Sequence, residues 1–110
     1  MTERDAQAAE ENEQIPDDEE SSIVVYDCAL KHGFTEDEIR VAWESAVKTQ
    51  SFVRVRFDKQ PPHYMAVGFV GDRKVELIAF SEGLVWKVFH ARLAFTGGFK
   101  NEYREGGGLI

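Results

Sequence analysis

The chain has 110 residues, of which 43% are apolar and 12% aromatic, and its formal net charge is −7. This length allows one hydrophobic core and argues against two independent domains. Cys28 is the only cysteine, which excludes an internal disulfide framework. No apolar stretch approaches the roughly 18 residues of a membrane span. The first residues are polar and acidic, unlike a secretory signal. We therefore expect a cytoplasmic protein without membrane association.

The negative charge is concentrated at the N-terminus. Residues 1–21 contain nine acidic side chains and one basic side chain, whereas residues 22–110 contain eleven acidic and twelve basic ones. Such acidic segments are typical of disordered chain, and Pro16 would interrupt a helix there. We predict a disordered acidic tail over 1–21, one α+β domain over 22–104 and a flexible C-terminus over 105–110. Alternatively, the tail is a polyanion that covers a basic surface of its own domain or of a partner.

Two helices are predicted at the start of the domain. The β-branched segment 23–25 precedes them, and its composition does not decide between strand and coil. Residues 26–32 then predict a short helix with apolar side chains on one face. Thr35 and Glu38 have the spacing of a capping box, which predicts that a second helix spans residues 36–48.

Four strand-like segments follow, separated by short turns. They comprise residues 52–58, 63–70, 74–80 and 84–91. Short connections predict an antiparallel meander. Residues 95–103 predict a short closing helix, although two glycines weaken it. The predicted fold is therefore α+β, with two N-terminal helices, a four-stranded antiparallel sheet and a short C-terminal helix. We expect the helices to cover one sheet face and the other face to be partly open.

Basic residues on the predicted sheet are the main candidates for a functional site. Arg54 and Arg56 share the polar face of the first strand, Lys87 lies on the last strand, and His90 and Arg92 lie at its end. Arginine binds phosphate oxygens, and histidine exchanges protons near neutral pH. Such a set can bind an RNA backbone and assist attack of a 2′-hydroxyl on the adjacent phosphate. The alternative is structural: solvated arginines and a hydrogen-bonded histidine at the edge of the core.

Metal and cofactor sites are not predicted. His32, His63 and His90 are far apart in the sequence and lack the local spacing of metal ligands, and a single cysteine adds little. The glycines at 106–108 lack the strand–loop–helix context of a phosphate-binding loop.

Several short motifs resemble one toxin family. Residues 31–38, Lys-His-Gly followed by Phe-Thr-Glu-Asp-Glu, resemble a helix junction of the BrnT family. These proteins are ribonuclease toxins of bacterial type II toxin–antitoxin systems, with a fold akin to RelE. Residues 66–80 are similar to the central strands of that family, and residues 89–94 are similar to its Ile-Ser-Ala-Arg-Lys-Ala segment. Tyr103 falls near a tyrosine of its closing helix, and the resemblance covers approximately residues 26–104.

The resemblance implies a RelE/BrnT-like fold, metal-independent cleavage of RNA and neutralisation by a protein antitoxin. It implies an active-site role for Arg92, with Lys87 near a basic position of the same strand. His90 replaces a small polar residue of the family, so a catalytic role there would be particular to this branch. Arg54 or Arg56 would add a phosphate contact, and we expect one of them to share a solvent-facing surface with Lys87 and Arg92. A non-catalytic protein-binding module on the same fold is the alternative.

Overall fold

The computed structural model describes residues 22–110, and the acidic tail predicted over residues 1–21 lies outside them. The elements in chain order are β1 (Ile23–Val25), a 3-10 helix (Asp27–His32), α1 (Glu36–Lys48), β2 (Phe52–Val55), β3 (His63–Val70), β4 (Arg73–Glu82), β5 (Val85–Leu93) and α2 (Gly97–Glu105). The strands form one sheet in the order β1-β5-β4-β3-β2. The α+β class is confirmed.

The sheet is mixed and has five strands, so the prediction of a purely antiparallel four-stranded sheet was wrong. The four predicted strands are present, and their pairings β2–β3, β3–β4 and β4–β5 are antiparallel. The additional strand, β1, runs parallel to β5, with Ile23 opposite Trp86 and Val25 opposite Val88. A strand of three residues is too short to show a periodicity, and its partner lies at the far end of the chain.

Only one of the two predicted N-terminal helices is an α-helix. The segment Asp27–His32 is a 3-10 helix that ends at Gly33, where φ is 94°. Short segments favour this tighter form because α-helix nucleation is costly. The second helix, α1, has the predicted bounds and capping box, with Thr35 Oγ1 accepting from Glu38 N at 3.1 Å and Glu38 Oε1 accepting from Thr35 N at 2.9 Å. Hydrogen bonds lower the pKa of Glu38, the largest contribution coming from the Thr35 backbone N–H and the next from the Arg73 side chain.

The larger core lies between α1 and one sheet face. The rings of Trp43 on α1 and Trp86 on β5 meet at 4.9 Å between centroids, and neither residue is exposed. At Gly68 on β3 the strand approaches α1 so closely that an added Cβ would collide with the backbone carbonyl of Ala42. Close packing of helix on sheet therefore depends on the missing side chain at this position.

A second core lies on the opposite sheet face, beneath α2. Phe99 and Tyr103 of this helix are buried with Val55, Met65 and Ile78. Burial raises the pKa of the Tyr103 hydroxyl. The helices therefore lie on both faces, and the expectation that they cover only one face was wrong. The apolar side chains of α2, which occur in a glycine-interrupted segment, are packed against a sheet surface that we expected to be open.

Substitution of Gly68 tests the close approach of β3 and α1. We expect Gly68→Ala to lower the free energy of unfolding by about 1–3 kcal/mol, because overpacking forces the helix away from the sheet. The matched control is Gly98→Ala, since the position of its added Cβ on α2 is open. Removing a helical glycine there should leave stability unchanged or raise it by up to about 1 kcal/mol. Urea unfolding followed by circular dichroism measures both, and equal stabilities of the two variants would contradict the packing described.

Candidate active site

A β-bulge in β5 determines which side chains face the second core. Ile78 pairs with His90 and Ala79 with Val88, so Phe89 is an extra residue in β5. Bulges of this kind change the direction of side chains relative to regular alternation. Phe89 packs against the second core. His90 contacts Glu76, which lies on the same sheet face as the second core because it is two residues from Ile78 on β4. Two consecutive residues of β5 are thus directed to one side of the sheet.

Glu76 is the single buried charged side chain among residues 22–110, with an exposed fraction of 0%. Its Oε2 accepts from His90 Nε2 at 2.9 Å and from Thr96 Oγ1 at 3.0 Å, and its Oε1 accepts from Thr96 N at 2.7 Å. A carboxylate withdrawn from water needs such donors to offset the loss of hydration. Thr96 is the N-cap residue of α2. The carboxylate therefore holds both the imidazole and the start of that helix.

The contact with Glu76 sets the roles of the two nitrogens of His90. An ionised carboxylate only accepts hydrogen bonds, so Nε2 of His90 carries a proton in this contact. In the neutral ring, Nδ1 is then the nitrogen with the free lone pair. The side chain of His90 is 26% exposed. A base oriented by a buried third group is the arrangement that catalytic histidines require.

A second histidine lies beside the first. His32 ends the 3-10 helix and is exposed, and its ring centroid lies 6.1 Å from that of His90. The pairing of β1 with β5 brings this helix to the bulge: Tyr26 N donates to Val88 O at 2.9 Å, and Cys28 Sγ donates to Phe89 O at 3.1 Å. The two histidines are distant in sequence and meet because β1 adds to the edge of the sheet.

Lys87 and Arg92 lie on the same sheet face as His90, one on each side of it along β5. Arg92 is opposite Glu76 in the β4–β5 ladder, two positions from His90, and is exposed. Lys87 is opposite Phe80, about 15 Å from Arg92 at the usual rise of a strand. Its Nζ donates to Glu82 Oε1 at 2.7 Å, and this hydrogen bond raises the pKa of Lys87. The structure thus places both cations two ladder positions from His90, and Lys87 is the one that is paired with a carboxylate.

Arg54 and Arg56 do not join this group. Their strand, β2, is three strand spacings from β5, which is about 14 Å. Arg54 is opposite Tyr64 and belongs to the α1 face. Arg56 lies beyond the end of β2 with φ 53°, so the alternation predicted over residues 52–58 does not reach it. Its guanidinium forms two hydrogen bonds with Glu102 of α2, at 2.8 and 3.1 Å, which raise the pKa of Arg56.

Sequence reasoning missed Glu76, Thr96 and the position of His32 beside His90. A signal for Glu76 was present, since it is the only charged residue in the apolar stretch from Val75 to Phe80. An acidic side chain in such a stretch is compatible with a buried carboxylate that has hydrogen-bond partners. His32 belongs to the Lys-His-Gly motif, but nothing local in the sequence places it next to His90.

Two further properties concern the part of the chain that the structure describes. Across residues 22–110, the His, Cys, Asp and Glu side chains form no group of three suited to a metal ion. No helix in that range has the length and apolar character needed to cross a membrane.

Replacement of Glu76 tests the buried carboxylate. We expect Glu76→Leu to lower the free energy of unfolding by about 1–3 kcal/mol, because the donors of His90 and Thr96 lose their acceptor. Glu76→Gln should lose less, since its amide oxygen still accepts from Thr96 N. The control is Glu82→Leu, which removes an exposed partner of Lys87 and should change stability much less. Urea titrations of the three variants measure this order, and a Glu76→Leu variant as stable as the wild type would contradict it.

Comparison of the chain with family models, with curated proteins and with solved structures finds no match. The case for a function therefore rests on the side chains around His90 and on their geometry.

Proposed function

We propose that this chain cleaves RNA by general acid–base catalysis, with His90 and His32 as the two proton-transfer groups. The observation that carries the proposal is the pair formed by His90 and the fully buried carboxylate of Glu76, with a second histidine ring 6.1 Å from the first. The additional contact to a part-exposed imidazole orients a group that can exchange protons with a bound substrate.

RNA cleavage by internal attack needs two proton transfers. A base removes the proton of the 2′-hydroxyl as its oxygen attacks the adjacent phosphorus, and an acid protonates the departing 5′-oxygen as its bond to phosphorus breaks. Neutral His90 accepts the first proton at Nδ1, and the carboxylate of Glu76 stabilises the imidazolium that forms. Protonated His32 supplies the second proton. The products are a 2′,3′-cyclic phosphate and a 5′-hydroxyl, and exchange with water restores both histidines.

Arg92 is the cation best placed to assist this reaction. It lies on the same face as His90, two positions further along β5, and its side chain is exposed. A guanidinium there can bind the non-bridging phosphate oxygens, on which charge develops during attack. Arg54 and Arg56 are too far from His90 for this role, because β2 is three strands from β5, and Arg56 is also paired with Glu102.

A biological role as a toxin is supported by the sequence. The resemblance of residues 31–38 and 89–94 to the BrnT toxins supports a role as a toxin of a toxin–antitoxin pair, with RNA as the substrate and an antitoxin protein as the neutralising partner. The alternative is a non-catalytic module in which the Glu76–His90 pair only stabilises the attachment of α2 and a sheet face binds a protein.

An RNA cleavage assay tests the proposed chemistry. We expect the full chain to cleave RNA in the presence of EDTA, leaving 2′,3′-cyclic phosphate ends. His90→Ala and His32→Ala should each lower the rate by about 10²- to 10⁴-fold, the usual contribution of a general acid or base. Lys48→Ala, at the exposed end of α1 on the other sheet face, is the control and should cleave as the wild type does. Absence of cleavage by the folded wild type, or equal rates for wild type and both histidine variants, would refute this proposal.

A growth experiment tests the toxin setting separately. Induction of the wild-type chain in a bacterial host should arrest growth, whereas His90→Ala and Arg92→Ala should permit growth at matched protein levels. His90→Ala removes the proposed proton transfer and Arg92→Ala the proposed phosphate contact, so both variants should be less toxic. Equal growth of induced wild type and uninduced cells would contradict a toxin role and leave the cleavage assay unaffected.

A further inference from the structure

Part of the sheet face beside the histidines is covered by aromatic rings. Tyr26, His63, Phe80 and Phe89 form this aromatic surface. Ring centroids lie 5.8 Å apart for Tyr26 and Phe80, 5.6 Å for His63 and Phe80, 5.7 Å for His63 and Phe89, and 6.0 Å for Phe80 and Phe89. The four rings are therefore one continuous group.

The aromatic surface is accessible and held in place by the backbone. Tyr26 is 37% exposed, and the other three residues are partly exposed. His63 and Phe80 are direct partners in the β3–β4 ladder and lie outside the core that α2 buries. The His63 ring is also held by a 2.9 Å hydrogen bond between Nδ1 and Pro61 O. Rings fixed in this way lose little conformational entropy when a flat ligand binds.

Cations of β5 lie on both sides of these rings. Lys87 is opposite Phe80, the bulge residue Phe89 follows, and His90 and Arg92 continue on the same face. Glu82 pairs with Lys87 and partly offsets its charge. Basic groups interleaved with exposed rings on a sheet are typical of proteins that bind single-stranded nucleic acid, in which bases stack on rings and cations contact phosphates.

We infer that the aromatic surface stacks unpaired bases, so that the substrate is single-stranded RNA whose neighbouring phosphate lies at His90. The inference rests on the proposed cleavage of RNA and specifies its substrate. The bulge supplies the connection, because it directs Phe89 and His90 to the same face as adjacent residues. Bases within a duplex are stacked on each other and present no free face to these rings.

Binding of an uncleavable RNA tests this inference independently of catalysis. The probe is a fluorescein-labelled 2′-O-methyl oligouridylate, which lacks the attacking hydroxyl, and fluorescence anisotropy with the full chain gives the dissociation constant. Tyr26→Ala and Phe80→Leu should each weaken binding by about 5-fold or more, as expected for loss of one base–ring stack. Phe80→Leu keeps apolar volume in the sheet, and Tyr26 is exposed, so both variants should fold. Thermal unfolding checks this.

Phe69→Ala provides the matched control. Phe69 is 44% exposed on β3, at the opposite end of that strand from His63, and does not belong to the aromatic surface. Its replacement should leave the dissociation constant within about 2-fold of the wild type, as expected for a surface change away from the contact.

Three results would overturn the inference: equal binding by wild type and both ring variants, equal competition by a duplex of the same length, or no binding of the oligouridylate by the folded wild type. The two proposals can fail separately. If the ring variants bind the oligouridylate more weakly but the wild type does not cleave ordinary RNA, the inference is supported and the proposed catalysis is refuted.

Discussion

The carboxylate of Glu76 lies in the interior of the domain with no exposed surface, and several features of the molecule follow from the need to compensate its burial. Hydrogen-bond donors of His90 and Thr96, which belong to different elements, take the place of the water that would hydrate an exposed carboxylate. The first of these contacts orients an imidazole on β5, and the second attaches the start of α2 to the sheet. A single buried charge therefore links the position of a helix to the orientation of the His90 imidazole.

Two departures from regular sheet structure complete the site. The bulge in β5 directs Phe89 and His90 to one face, where regular alternation would have separated them. The parallel pairing of β1 brings the 3-10 helix, with His32 at its end, to the same place. The two histidines and the aromatic surface thus come from segments that are far apart in the chain and share no local sequence pattern.

The described part of the chain has little excess positive charge, which bears on the proposed binding of RNA. The described part of the chain is almost neutral, and Arg56, Arg73 and Lys87 are each paired with a carboxylate. Such a surface binds a polyanion less strongly than a basic groove does, since fewer counterions are released. Stacking of bases on exposed rings adds affinity that does not depend on net charge. The proposed site therefore combines few cations with a preformed apolar surface.

Local patterns in the sequence were sufficient to predict α1 with its capping box, the four antiparallel strands and the neighbouring positions of His90 and Arg92. These features depend on side-chain periodicity and on contacts between residues three or four apart, which a sequence displays directly. The parallel strand β1, the second helical layer and the burial of Glu76 were decided only by the tertiary structure. Each joins residues far apart in the chain, and its stability comes from partners that no local pattern identifies. Arg56 is a further example: its position after a predicted strand indicated a phosphate contact, but the tertiary structure pairs it with Glu102 of α2.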